Sequence, residues 1–251
     1  MFTKSIITRV AAASAGLFAL TGAAVAEDRQ LTWSVTGAAY SDYVVRGYSQ
    51  TDNDPAATVS LDLSYGIFYA GIYGATTTEV YNATNTEIDF YGGIKPVTGP
   101  VTWDFGVIYY LYPHQDPAFS GGLEVSFLEL KAAASVSPVA NLTTSITAYY
   151  SPDYSFETGN SLAVEGTAAY ALPKLWLFSP TLSGTLGNQK TEDPSFFADA
   201  AVPTVDDYWY WNVGVALAVE KITFDLRYWD TNVDNTWSDS RFVAGAKLTL
   251  P

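Results

Sequence analysis

The sequence predicts an all-β protein, a transmembrane antiparallel up-and-down β-barrel of about twelve strands. Three observations predict it. Apolar and polar residues alternate along many short segments, and short and long connections alternate strictly along the chain. After residue 26, no segment approaches the roughly 18 consecutive apolar residues of a transmembrane helix. A chain that crosses a membrane without helices needs a closed sheet, because lipid offers no hydrogen bonds to the backbone.

The N-terminus, residues 1–26, is predicted to be a secretory signal peptide. Lys4 and Arg9 precede the apolar stretch Val10–Leu20, and small residues follow as far as Ala24-Val25-Ala26. The apolar stretch is too short to anchor the chain in a bilayer, and a peptidase that accepts small side chains would cleave after the last alanine.

The remainder, residues 27–251, is predicted to form one outer-membrane β-barrel with a net charge of about −16. The full sequence carries −14, and the signal peptide removes two basic residues and no acidic one. This balance disfavours nucleic-acid binding, which depends on clustered lysine and arginine. The chain has no cysteine, so disulfides and thiolate metal sites are excluded and stability must come from packing and backbone pairing.

Alternation with a period of two is clearest between Ala57 and Tyr65. Every second residue there is apolar, and the residues between are threonine, serine and aspartate. A strand places such apolar residues on one face, whereas a helix would scatter them. The same pattern recurs at 31–36, 87–91, 102–109, 142–148, 222–228 and 242–250.

The connections between these segments predict how the barrel is oriented. Short turns are predicted at Gly66, at 95–100, around Pro138, around Pro173 and at Glu220-Lys221. Longer polar connections are predicted at 49–55, 77–83, 113–121, 151–160, 188–206 and 231–239. Strict alternation of this kind is expected of a barrel with short periplasmic turns, long outer loops and both termini in the periplasm.

A soluble β-sandwich is the alternative fold, since it also buries one apolar face. The polar faces, however, contain few of the lysines and glutamates that solubilise an exposed sheet. Aromatic residues cluster at predicted strand ends, as in interfacial girdles, whereas a sandwich core would also place them mid-strand. The periplasmic set is Tyr65, Phe68, Trp103, Tyr170 and Trp176, and the opposite set is Tyr43, Tyr109, Tyr150, Trp209, Trp211 and Tyr228.

Four stretches resemble a known family: Ser41-Asp42-Tyr43-Val44-Val45-Arg46-Gly47-Tyr48-Ser49-Gln50-Thr51-Asp52, the segment 87–93, the segment 104–113 and the segment 149–159. Together they are similar to the TorF-type porin family of proteobacterial outer-membrane proteins. The resemblance spans nearly the whole mature chain and implies a β-barrel in the outer membrane of a Gram-negative bacterium. It implies no particular solute.

The partners expected of such a chain are outer-membrane lipid, small hydrophilic solutes and, during biogenesis, the barrel-assembly machinery. That machinery generally reads an aromatic residue at the end of the last strand, whereas this chain ends Leu250-Pro251. Insertion is therefore expected, with reduced efficiency.

Function is expected from the inward face, where acidic side chains outnumber basic ones seven to four. The predicted lumen-lining residues are Arg46, Asp62, Glu87, Asp89, Asp104, Glu129, Lys131, Glu165, Asp225, Arg227 and Lys247. Such charges either line a water-filled path or close into salt-bridge networks that plug the barrel. We therefore predict a narrow, cation-preferring channel for passive diffusion, with a plugged barrel in a structural or surface-interaction role as the alternative.

Enzymatic activity, cofactors and metals are not predicted. His114 is the single histidine and has no serine and aspartate arranged near it as a triad. The stretch Asp230–Asp234 resembles the start of a calcium loop, but Asn235 replaces the turn glycine and Arg241 the bidentate glutamate. Turn formation explains this stretch, and likewise 52–54, better than calcium binding.

Overall fold

The computed structural model describes residues 30–194, 196–197 and 204–251, and the predicted signal peptide lies outside them. The described residues include no helix long and apolar enough to cross a membrane. Their helical segments are α1 (Glu79–Asn82), α2 (Pro117–Ser120) and a 3₁₀ turn (Ser155–Glu157). Their strands are β1 (Thr32–Tyr40), β2 (Val44–Val45), β3 (Tyr48–Ser49), β4 (Ala56–Tyr65), β5 (Phe68–Thr76), β6 (Thr86–Ile94), β7 (Val97–Thr98), β8 (Val101–Leu111), β9 (Phe127–Val139), β10 (Leu142–Ser151), β11 (Ser161–Ala171), β12 (Ser179–Thr191), β13 (Asp207–Val219), β14 (Ile222–Thr231) and β15 (Arg241–Leu250).

Twelve of the strands in the described chain, all except β2, β3 and β7, form one closed antiparallel barrel. Each pairs with its neighbour along the chain, and β6 pairs directly with β8. The first strand closes the sheet because it pairs with both β4 and β15, with Val35 opposite Leu250. The predicted fold class is thereby confirmed, and closure leaves the barrel without an unpaired edge.

The alternation decides which side chains face outward. In β4, Val59 and Leu61 are exposed, whereas Ser60 and Asp62, which alternate with them, are half-buried on the inner face. In β14, Leu226 is exposed and its neighbour Arg227 is buried inside. Similar exposed apolar residues occur on the other barrel strands, and a belt of this kind fits a lipid environment. The fold thus agrees with the outer-membrane location.

The ends of the barrel differ, as the connection lengths predicted. One end, here called the turn end, carries the connections at 66–67, 95–100, 140–141, 172–178 and 220–221. The other, the loop end, carries those at 41–55, 77–85, 112–126, 152–160 and 232–240, and β12 ends and β13 begins there. The turn predicted around Pro138 lies slightly later, because β9 continues to Val139. A register shift opposite Leu142 and Thr144 accommodates the proline, which cannot donate to the ladder.

Candidate functional site

The barrel encloses a cavity of about 1510 Å³. Its lining includes Lys174, Lys221 and Pro251 at the turn end, and Tyr43 and Phe197 towards the loop end. The interior is therefore not filled by side chains from one end to the other, and the cavity is the candidate site.

A hairpin folds into the barrel at the loop end. This inner hairpin, residues 42–51, contains β2 and β3 and is buried along almost its whole length. Its turn is Arg46-Gly47, with positive φ values of 48° and 88°, as in the tight turns that suit β-hairpins. A Cβ on Gly47 would collide with the side chain of Thr231 and lie 3.2 Å from Cβ of Tyr210, so the hairpin approaches the wall as closely as glycine permits.

Aromatic packing holds the inner hairpin against the barrel wall. The Tyr48 ring lies 5.2 Å from that of Phe197 and 5.1 Å from that of Tyr208. Val44 and Trp229 belong to the same buried cluster. The connection predicted at 49–55 begins earlier, directly after Tyr40 at the end of β1, and this added part turns inward because Val44 and Tyr48 are removed from water there.

Tyr43 corrects a second prediction. We assigned it to the outer aromatic girdle, yet it is only 5% exposed and lies inside the barrel. Its hydroxyl donates to Oε1 of Glu87 at 2.7 Å, and that of Tyr112 donates to Oε2 at 2.6 Å. Glu87 thus has a phenol donor on each carboxylate oxygen.

Arg46 connects the inner hairpin to the wall by a bidentate ion pair. Its Nη1 and Nη2 atoms donate to Oε1 and Oε2 of Glu129, each at 2.8 Å. The guanidinium carbon lies 4.6 Å from the centroid of the Tyr149 ring. Tyr110 also donates to Glu129, and Tyr208 donates to the carbonyl oxygen of Arg46 at 3.0 Å. Arg46 therefore reaches the lumen from a loop rather than from a barrel strand.

Asp104 is the centre of a second polar cluster, closer to the turn end. Nζ of Lys131 lies 2.8 Å from Oδ2 of Asp104, and the Tyr69 hydroxyl donates to Oδ1 at 2.7 Å. Lys95, 3.8 Å from the same carboxylate, was missed by sequence reasoning because it lies in a turn. Burial lowers the pKa of its ammonium group, and Asp104 opposes this shift.

Across the barrel, Arg227 organises a third cluster. It forms an ion pair with Asp225 at 3.1 Å and donates to Oδ1 of Asn212 at 2.6 Å and to Oγ of Ser183 at 3.1 Å. Lys247 faces the lumen from the adjacent strand β15.

Nine of the eleven predicted lumen residues line the cavity, and the other two, Asp104 and Lys131, are buried at inward positions of β8 and β9. The eleven do not come together as one site. Three of the seven acids form ion pairs, namely Asp104, Glu129 and Asp225. The other four are Asp62, Glu87, Asp89 and Glu165, for which the described chain shows no ion pair. Asp62 accepts a hydrogen bond from Tyr91, and Glu165 accepts one from Tyr210 at 2.9 Å.

Inward tyrosines recur in these clusters, and the sequence analysis assigned none of them to the lumen. Those on barrel strands have the inward parity of the alternation, so periodicity could have located Tyr91, Tyr149 and Tyr210. Tyr43 and Tyr112 lie outside the strands and gave no such signal.

The fold is similar to that of solved porins. The structure of the KdgM porin in complex with disordered oligogalacturonate superposes with a TM-score of 0.57 at 8% identity, covering 87% of this chain and 99% of that one. The NanC porin gives a TM-score of 0.53 at 10% identity, covering 88% of this chain and 100% of that one. At such low identity the likeness extends to the fold alone. No curated protein matches the sequence.

Residues 25–248 match the family model Gcw_chp, described as a bacterial protein of unknown function. This match covers nearly the whole barrel. The family description does not mention TorF-type porins, so that resemblance stays a prediction. The chain therefore belongs to the Gcw_chp family.

Proposed function

We propose that this barrel is a narrow outer-membrane channel through which small hydrophilic solutes diffuse passively and cations pass more readily than anions. The observation that carries the proposal is the cavity of about 1510 Å³, faced by more carboxylates than cationic groups. In a confined, water-filled space, an excess of negative charge concentrates cations and repels anions. The porin-like fold and the TorF-type resemblance support the same function.

We place the narrow part of the proposed path at the inner hairpin, because this hairpin is folded into the lumen. The cavity extends past Tyr43 and Gln50 of the inner hairpin as far as Asn82 in a connection of the loop end. Glu87 and Asp89 line this side. A solute that takes this route passes two carboxylates that form no ion pair within the described residues, so selectivity should depend on them.

The test is the reversal potential across a potassium chloride gradient, measured for the refolded barrel in a planar bilayer. The parent should favour potassium, and the double variant Glu87→Gln/Asp89→Asn should favour it less. The matched control is Asp207→Asn, which removes an exposed acid that is absent from the cavity lining. Selectivity should weaken at high salt, because the screening length falls to about 3 Å at 1 M. A preference for chloride, or a double variant that matches the parent, contradicts the proposal.

The inner hairpin favours a second candidate, a plugged barrel with a structural or surface-interaction role. The hairpin occupies the loop end of the lumen, where it is held by its ion pair with Glu129 and by aromatic packing. Replacement of residues 42–51 by a short glycine-serine linker separates the two candidates. If the folded parent carries no current and the linker variant does, the plugged barrel is correct.

A further inference from the structure

Asp89 lies among tyrosines on the inner face of β6. Tyr73 on β5 and Tyr110 on β8 are directly opposite it in the sheet, and Tyr91 is the next inward residue on its own strand. Side chains directly opposite each other in an antiparallel sheet have Cβ atoms about 4.5 to 5.5 Å apart. All four side chains line the lumen cavity, so a carboxylate flanked by aromatic rings faces the lumen.

This carboxylate has no cation of its own within the described chain. Asp89 is 7% exposed, and its Oδ1 atom is buried without a hydrogen-bond partner among the described residues. Arg46 is held by both oxygens of Glu129. Glu87, two residues away on the same face, adds a second negative charge. An ionised carboxylate buried in this position is costly unless it takes up a proton or a cation neutralises it, and the open cavity allows such a cation to come from outside.

The groups around Asp89 indicate which kind of cation fits. The hydroxyls of Tyr91 and Tyr110 donate to Asp62 and Glu129, so both are already engaged in hydrogen bonds. A hard metal ion needs about six oxygen ligands, and the described residues contain no group of three or more acidic, histidine or cysteine side chains placed to hold one. A carboxylate beside aromatic rings, in contrast, is the chemistry that binds organic ammonium groups.

We propose that Asp89, Tyr73, Tyr91 and Tyr110 form a binding site for the primary ammonium group of a small organic amine. The inference rests on the proposed function in one respect, since the amine has to enter the lumen to reach the site. The ammonium group would lie against the carboxylate from the cavity side, with its alkyl part against the rings.

Isothermal titration calorimetry of the folded barrel in detergent micelles, with butylammonium chloride as the probe, tests the site. The parent should bind saturably, and Asp89→Asn should weaken binding by about tenfold or more, since a charge-assisted contact is lost. The matched control is Glu165→Gln, which changes an inward carboxylate on β11 that accepts a hydrogen bond from Tyr210 and lies outside the proposed site; it should change binding by less than about threefold.

Two ring variants keep the test decisive if Asp89→Asn fails to fold, as judged by heat-dependent gel migration. Tyr110→Phe should preserve binding because the ring remains, whereas Tyr110→Leu should weaken it. Absence of saturable binding by the parent, equal loss in Asp89→Asn and Glu165→Gln, or displacement by potassium at the same concentration as the amine would each overturn the site. So would equal binding by Tyr110→Phe and Tyr110→Leu.

Conductance separates the site from the proposed function. Butylammonium binding without current contradicts the channel and leaves the amine site intact. A cation-selective current without butylammonium binding contradicts the amine site and leaves the channel intact.

Discussion

Substitution of Arg46 by methionine should release the inner hairpin from the barrel wall. The side chains of Arg46 and Glu129 are 8% and 1% exposed, so their two hydrogen bonds of 2.8 Å are shielded from water. Removing one partner of a buried ion pair costs about 3 to 5 kcal/mol, because the other charge stays buried and unpaired. Methionine keeps an unbranched side chain of similar length, which limits the change largely to the charge.

This cost should appear as undocking of the inner hairpin rather than as unfolding of the barrel. Each barrel strand pairs with two neighbours, and none of these pairings involves β2 or β3. A loss of about 3 to 5 kcal/mol shifts the equilibrium between the docked and undocked hairpin towards the undocked state by a factor of about a hundred to a few thousand. Amide hydrogen exchange of residues 42–51, followed by mass spectrometry, reports this equilibrium directly. Exchange in β9 and β10 should remain as in the parent.

The double variant Arg46→Met/Glu129→Gln is the control, because it also removes the unpaired carboxylate charge of Glu129. It should recover most of the protection of residues 42–51. Single-channel conductance should rise in Arg46→Met and return towards the parent value in the double variant. Unchanged exchange in Arg46→Met, or a double variant as exposed as the single one, would refute the role of this ion pair.

Three further predictions concern the wall, the hairpin turn and the location. Leu61→Arg and Leu226→Arg, near the bilayer midplane, should each lower the free energy of unfolding by about 2 to 4 kcal/mol, measured by urea unfolding from vesicles. Ser60→Arg faces the lumen beside Asp62 and should lower it less. Equal losses of stability would contradict the assignment of these residues to the lipid and lumen faces. Gly47→Ala should expose residues 42–51 to hydrogen exchange, because the added Cβ collides with Thr231. Gly99→Ala is the control: Gly99 also has a positive φ, but a Cβ added there has no atom within 4 Å, so the hairpin should stay docked. Similar exchange in both variants would refute the packing argument. The mature chain should stay in the outer-membrane fraction after alkaline extraction, and recovery as a soluble periplasmic protein would contradict the membrane location.

Local pattern was enough to determine the barrel. Side chains of a strand alternate between two faces, so the positions of Leu61 and Asp62 on opposite sides follow from the period of two alone. Connection lengths were also readable, because clusters of glycine, asparagine and proline between alternating segments favour turns. The shift of the turn from Pro138 to residues 140–141 shows the limit of that reasoning, since a register shift let β9 continue past the proline.

Tertiary structure alone decided which lumen side chains contact one another, and that the inner hairpin lies among them. Arg46 and Glu129 are 83 residues apart, and their ion pair exists because closure of the barrel brings β9 opposite an inward-folded hairpin. The segment 42–51 mixes polar and aromatic residues in a pattern equally compatible with an exposed loop, so its burial depends on partners such as Tyr208 and Trp229 from distant strands. Asp89 was predicted to face inward, but its lack of a partner within the described chain arises because Tyr91, Tyr110 and Arg46 are engaged by other carboxylates. Such pairings between distant segments are set by the closed sheet and its register, which no local period encodes.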